Sequence, residues 1–246
     1  MSDVPALEVL VEGHAPGDAN MRRDIELLDA CAAAEIPGAV RIYGFSPACL
    51  SLGRMQPLSD VDTDACARDG VDVVRRPSGG RAVLHDQEVT YAVVCAASDP
   101  HFGGRVLESC ARIHAVVGSA LRALGVDTLA RERSRDARAD ARFVAGAADC
   151  FARPAAHELL DRFGNKVVGS AQARRGRALL QHGSILLESP RASLYLRDAA
   201  ATAGAAPTAG GGLRPLLTRD VSWEEAAASL AAAFRTAVAA ELDTPG

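Results

Sequence analysis

Lysine is almost missing from this chain: of 27 basic residues only Lys166 is a lysine, and the others are arginines. Arginine would carry the same charge, so a lone lysine marks a place where a compact ammonium with a tunable pKa has a use. The plain alternative is an exposed lysine at the start of a strand. No two of the six cysteines (31, 49, 66, 95, 110 and 150) form a C-x-x-C pair. That argues against structural zinc and thioredoxin-like redox chemistry. A basic surplus is also missing: the net charge is −4, the wrong sign for a general nucleic-acid binder. No apolar run approaches the roughly 20 residues that span a bilayer. The start, Met1-Ser2-Asp3-Val4, lacks the basic region of a secretory signal. These absences predict a cytoplasmic chain with reduced thiols and no membrane association.

What is present is the pattern of a mixed α/β chain, long enough to bury a substantial core. Asp18 or Asn20 is placed to cap a first helix whose apolar stripe is Met21, Ile25, Leu28 and Ala32. Residues 40–43 and 49–53 read as two strands with a turn at Ser46-Pro47 between them. A brief helix over 60–68, a strand at 71–74 and the strongest strand signal, at 89–94, follow. A second long helix spans 104–124, with Val106, Cys110, Ile113, Val117, Leu121 and Leu124 at helical spacing; His114 beside them reads as a packing residue. The charged run 131–142 reads as a loop or an exposed helical turn. Strands are predicted at 143–149, 166–173 and 179–187, and a flexible Ala/Gly-rich segment at 199–213. Ser222 and Glu225 then make a capping box for a last helix bearing Trp223, Ala227, Leu230, Phe234 and Val238. With no internal repeat, the expectation is one domain over 1–246: a mixed, largely antiparallel sheet flanked by helices (α/β, of the α+β kind).

Three features carry chemistry. Cys31, Cys95 and Cys110 lie on apolar periodicities and read as packed small hydrophobes. Cys150 instead ends a strand-like run and opens a loop broken by Pro154, where a scaffold presents reactive groups. It lies sixteen residues before Lys166, and a nearby ammonium holds a thiol as thiolate. Upstream, residues 75–86 (Arg75-Arg76-Pro77-Ser78-Gly79-Gly80-Arg81-Ala82-Val83-Leu84-His85-Asp86) form a basic loop with neither Walker A nor dinucleotide spacing. On its chemistry alone this loop says anion, or close backbone approach. His182, in Gln181-His182-Gly183-Ser184, reads equally as a base, a pocket wall or a buried hydrogen-bonded residue.

The loop 75–86 resembles the signature loop of the biotin/lipoate protein ligase superfamily. Residues 17–21, 43–47, 51–56 and 181–187 match as well, so the resemblance covers about 17 to 190. Within the superfamily the chain is most similar to the lipoate-ligase-like octanoyl-[acyl-carrier-protein]:protein N-octanoyltransferases. Arg81 stands where lipoate ligases have a third glycine, and Asp149-Cys150 where they usually have Asn-Asp. Asn165 stands where relatives commonly carry a basic residue.

The resemblance implies an ATP-independent octanoyltransferase of lipoate biosynthesis. Cys150 would accept the octanoyl group from octanoyl-acyl carrier protein as a thioester. A lysine of a lipoyl-domain protein, such as the glycine cleavage H protein, would then take it as an amide. Lys166 would lower the Cys150 pKa and bind the acyl carbonyl. Backbone N–H groups of Gly169, Ser170 and Ala171 would hold the oxyanion, while Gly79, Gly80, Arg81, His85, His182 and Gly183, with Arg76 and Ser78 of the same loop, would surround the substrate. No metal and no organic cofactor is implied. The competing readings are an ATP-dependent lipoate–protein ligase, an amidotransferase between lipoyl-domain proteins, and a non-catalytic acyl-binding relative.

Overall fold

The computed structural model describes residues 7–130, 159–189, 191–197 and 212–240. Cys150, the predicted strand at 143–149, the charged run 131–142 and most of the Ala/Gly-rich segment lie outside them. The elements in chain order are β1 (Glu8–Ala15), α1 (Gly17–Ala32), β2 (Gly38–Phe45), β3 (Cys49–Leu52), α2 (Thr63–Asp69), β4 (Asp72–Arg75), β5 (Val83–His85), β6 (Glu88–Ala96), α3 (Val106–Ala123), β7 (Leu129–Ala130), β8 (Leu159–Leu160), β9 (Lys166–Arg175), β10 (Ala178–Leu186) and α4 (Trp223–Ala239). They form a seven-stranded sheet, β1-β2-β6-β10-β9-β8-β7, and a three-stranded one, β4-β3-β5. Among the described strands only β1–β2 and β3–β4 run parallel. This is the mixed, largely antiparallel sheet flanked by helices that the sequence predicts.

β6 and β10 run down the middle of the large sheet and are buried nearly throughout. Both faces are covered, which is why β6 reads as a continuous apolar run over 91–96 rather than an alternating one, while β10 carries Gln181-His182-Gly183-Ser184 in its middle. On one face α1 lays Met21, Leu27, Leu28 and Cys31 over Ala39, Ala92, Val94 and Leu180. On the other, α3 and α4 bring Ile113, Val117, Leu121, Leu230 and Phe234 onto Val40, Tyr91, Val93 and Leu179. Fully burying a side chain such as Phe234 contributes about 1.5–3 kcal/mol. Its ring packs on Tyr91 and Phe102. The predicted capping box of α4 is present, with Glu225 N–H donating to Ser222 Oγ at 3.2 Å and Ser222 N–H donating to Glu225 at 3.3 Å. At the start of α4, Trp223 stacks at a tilt on His14 of β1, ring centres 4.5 Å apart.

Several expectations need correction. β1 has no counterpart in the predicted elements: its half-exposed burial pattern carries no clean alternation, and pairing with β2 defines it. Neither Asp18 nor Asn20 caps α1. The cap position is Pro16, and Asn20 points inward, donating to the carbonyls of Ala15 and Gly44. β2 and β3 are not partners across a turn; the chain at Ser46-Pro47 passes from one sheet to the other. The short helix starts at Thr63, capped by the Asp62 side chain. Cys110 is only partly buried, although it follows the apolar spacing of α3. Leu213, taken as the end of the flexible segment, is fully buried. Among the described residues no helix is long and apolar enough to cross a membrane.

Candidate functional site

On the α1 face of the large sheet a slot opens between the end of the 75–85 stretch and the middle of β9 and β10. Met21, Tyr43, Val83 and Thr90 line it with Gly169, Ser170 and Ala171 of β9 and His182, Gly183 and Ser184 of β10. Arg76, His85 and Ser51 close its other side. Apolar walls with a few fixed polar groups are the usual make-up of a small-molecule pocket.

The polar groups are not solvated; each is held by a neighbour. Ser78 Oγ and His182 Nε2 share a hydrogen bond of 2.5 Å, and His182 Nδ1 lies 3.1 Å from Asp24 Oδ2. Asp24 is completely buried and also accepts from Tyr43 at 3.0 Å and from the Arg41 guanidinium. Arg41 is itself buried in β2 and donates to Glu12 at 2.7 Å. Burial works against the charge on Arg41, yet Asp24, Tyr43 and Glu12 outweigh it and raise the guanidinium pKa. Burial, and then Asp24, push the Tyr43 hydroxyl well above its ordinary value, so it stays a donor. His85 stacks on Phe45, contacts Ser51 Oγ at 2.8 Å and Ser184 Oγ at 3.2 Å, and lies 3.4 Å from Glu88.

The arginine-glycine loop works partly as scaffold. Arg76, buried, donates to the carbonyls of Ser51, Gly79 and Arg81 and so ties the loop to β3. Arg75 does the same for the carbonyls of Gly53, Arg54 and Gln56. Gly79 and Gly80 lie exposed at the outer turn, Gly80 with φ +92°. Gly53 lets that turn approach: a Cβ there would stand 2.0 Å from the Gly80 carbonyl oxygen. Gly183 has a similar role under β9, where a Cβ would lie 2.6 Å from Ser170 Oγ and 2.7 Å from Tyr91 Oη.

Lys166 is 2% exposed, which disposes of the surface-lysine reading. Lysines are rarely buried this far unless they are paired. It opens β9 beside a register shift, where Leu159 faces Val168 but Leu160 faces Lys166. Such a bulge re-aims side chains and is common near active sites. The turn before it is locked by Asp161, which accepts from the N–H groups of Phe163 and Asn165 at 2.8 Å and from the Asn165 side chain at 2.9 Å. Asn165 is thus spent on holding the turn that presents Lys166.

Four of the other thiols are made poor nucleophiles by burial. Burial raises the pKa of Cys31, Cys49, Cys66 and Cys95, most strongly for Cys49 and Cys95. Cys110 lies on the opposite, α3 face, 3.7 Å from His114 Nδ1. His114 is buried, as expected of a packing residue, and its Nε2 meets Ser170 Oγ at 2.7 Å. Sequence reading missed Asp24, Arg41, Tyr43, Ser51, Glu88, Thr90 and Ser184. One signal was available: Asp24 stands three residues after Met21 and four before Leu28, inside the apolar stripe of α1.

Residues 16–235 match the lipoyl protein ligase A/B catalytic domain. An octanoyltransferase LipM of Geobacillus kaustophilus is 40% identical over 74% of this chain, which covers 66% of that relative's length, just under two thirds. The octanoyltransferase LipM of Symbiobacterium thermophilum is 36% identical, with 97% of this chain and 88% of that one covered. Among solved structures, the bipartite lipoate protein ligase of Thermoplasma acidophilum, described with its E2 lipoyl domain, superposes with a TM-score of 0.68 at 21% identity, over 94% of this chain and 83% of the other.

Proposed function

Since the chain belongs to the family of lipoyl protein ligase A/B catalytic domains, we propose that it is an octanoyltransferase of lipoate biosynthesis. It takes the octanoyl group from octanoyl-acyl carrier protein onto Cys150 and passes it to a lysine of a lipoyl-domain protein. The relatives named octanoyltransferase support the reaction, and the lipoyl domain of the Thermoplasma ligase supports that class of acceptor. The observation that carries the reading is the burial of the chain's one lysine at the bulged head of β9.

In this reaction the Cys150 thiolate attacks the thioester carbonyl of the donor. The carrier's thiolate leaves with the electron pair of the broken C–S bond, and the octanoyl group stays on Cys150. A free thiol near pKa ~8.5 is only a few per cent ionised at neutral pH. A lysine ammonium kept out of water favours the thiolate and the oxyanion alike. β8 pairs with β9 only as far as Val168, so among the described residues no strand covers the outer side of β9 at 169–171. In this reading backbone N–H groups of Gly169, Ser170 or Ala171 on that side donate to the oxyanion, at about 3 kcal/mol per donor in other enzymes. The slot beyond them takes the acyl chain. Arg81 in place of a third glycine fits a site without adenylate chemistry, because a glycine there allows backbone to approach phosphate.

The test is to incubate the protein with octanoyl-acyl carrier protein, without ATP, and to measure its intact mass. One added octanoyl group on the wild type, missing from Cys150→Ala, is the expected result. Octanoylation of the acceptor only when ATP and free octanoate are supplied would make the protein a ligase instead.

A further inference from the structure

A second cavity, of about 270 Å³, lies at the end of the large sheet where β6 begins and β10 ends. Leu84, Leu186 and Leu194 give it apolar walls, and Asp86, Glu88 and Glu188 give it carboxylates against the single guanidinium of Arg191. Glu188 is already paired with Arg214. Glu88 is different. Its side chain is 1% exposed, Thr90 donates to its Oε1 at 2.5 Å, and His85 Nδ1 lies 3.4 Å from the same oxygen. Its Oε2 is buried with no hydrogen-bond partner among the described residues. A buried carboxylate oxygen without a donor is costly, and such orphans call for a ligand or a catalytic use.

Position supplies that use. Thr90 and His85, which hold Oε1, both line the acyl slot, while Glu88 itself lines the second cavity. Glu88 therefore stands in the wall between the two. It pairs with Leu186 across β6 and β10, and the β10–β9 ladder closes one residue earlier, at Ile185 and Val168, two residues from Lys166. Glu88 and Lys166 thus belong to the same end of the sheet. Leucine walls leading to a buried carboxylate suit a methylene stem ending in an ammonium. Among the described residues no group of three metal-ligating side chains competes for this space with a metal ion.

We propose that this cavity receives the acceptor's lysine and that Glu88 is the base that deprotonates it, an inference that rests on the octanoyltransferase reading. The incoming ammonium gives one proton to Glu88 Oε2, which releases it to solvent through the cavity. The freed amine attacks the thioester carbonyl, so a C–N bond forms and the C–S bond breaks, with the electron pair leaving on the Cys150 sulfur. The second proton lost by the nitrogen passes to that sulfur and regenerates the thiol.

The two half-reactions separate this proposal from the one beneath it. For Glu88→Gln, which keeps the shape and an oxygen for Thr90, acylation by octanoyl-acyl carrier protein should stay within about threefold of wild type. Discharge of the acyl-enzyme to a lipoyl-domain lysine should fall about 100-fold, the usual worth of a positioned base. Discharge to hydroxylamine, which is already unprotonated at neutral pH, should match wild type. Should the Gln variant not fold, Glu88→Asp, which draws the carboxylate back, should show the same split at about tenfold. Normal acylation with undiminished discharge to lysine overturns the role of Glu88 alone. An equal loss with lysine and hydroxylamine also overturns it, since a distorted site rather than a lost base would be responsible. Absence of any acyl-enzyme on the wild type overturns the octanoyltransferase reading and this inference with it.

Discussion

His182 and Asp24, 158 residues apart in the chain, share a buried hydrogen bond of 3.1 Å that sets the tautomer of the imidazole. Asp24 is paired with Arg41 and is therefore a carboxylate, which only accepts. His182 Nδ1 must carry a proton, and in the neutral ring Nε2 then accepts from Ser78. One helix, two strands and the arginine-glycine loop are joined through this line of contacts. It fixes the loop against the sheet with charge rather than with grease.

Removing Asp24 should therefore damage the fold before the chemistry. Asp24→Ala leaves a buried guanidinium without its main partner, and losing half of a buried ion pair costs about 3–5 kcal/mol. Tyr43→Phe takes away only one donor to the same carboxylate and should cost about 1 kcal/mol. Urea unfolding of the two variants would measure both; equal small losses would mean that Arg41 is adequately held by Glu12.

The two glycines near the loop turn should behave in opposite ways. Gly53→Ala puts a Cβ against the Gly80 carbonyl and should cost about 1–3 kcal/mol through overpacking. A Cβ at Gly79 meets nothing within 4 Å, so Gly79→Ala should change stability by no more than about 0.5 kcal/mol. Any drop in turnover for the Gly79 variant at unchanged melting temperature would then report a substrate passing close to that backbone.

Alkaline pH should weaken the protein through its buried thiols. The pKa values of Cys49 and Cys95 are raised by burial from the ordinary 9.0. Above that value the unfolded chain has released these protons while the folded one still holds them, so stability is full below about pH 9 and falls as pH rises. Each thiol contributes a slope of about 1.4 kcal/mol per pH unit. Urea midpoints measured from pH 8 to 10.5 under reducing conditions should decline, and Cys95→Ala should flatten the decline; a slope unchanged in that variant would assign it to other groups.

Lys166 should be visible through Cys150. Lys166→Ala is expected to raise the apparent pKa of Cys150 alkylation by about a unit or more, because a neighbouring ammonium favours thiolate. Lys166→Arg should keep the low pKa yet lose most of the transfer rate, since a planar guanidinium does not serve sulfur and carbonyl from one point. Identical alkylation curves for wild type and Lys166→Ala would take the lysine out of the thiol's surroundings.

Local signals in the sequence were legible where one element decides its own form. The helices α1, α3 and α4, the capping box at Ser222 and the β-branched run of β6 appear where predicted, although Val106 of the α3 stripe is exposed and Ile25, Ala32 and Cys110 are only partly buried. β1 was not legible, because an edge strand with one partner shows little alternation of its own. Nor does any residue near Ser46-Pro47 tell that β2 and β3 belong to different sheets. The candidate site and its surroundings were half legible: the loop, Lys166 and His182 stand out by type, whereas Asp24, Arg41 and Glu88 resemble ordinary surface charges until folding brings their partners to them. Burial of charge is a property of pairs, and the pairs here come from distant segments.

The packing of α4 on β1 and β6, through Trp223 on His14 and Phe234 on Tyr91, has a consequence for the newborn chain. The strands that α4 covers all precede it in the chain, so during translation α3 alone shields this face of the large sheet, and Val40, Tyr91 and Val93 wait for the Leu230 and Phe234 that complete their cover. Until residue 239 clears the ribosome, that face is a sticky surface available to chaperones or to another nascent copy. Maturation therefore waits on α4, and damage to α4 should show first as aggregated product rather than as slow enzyme.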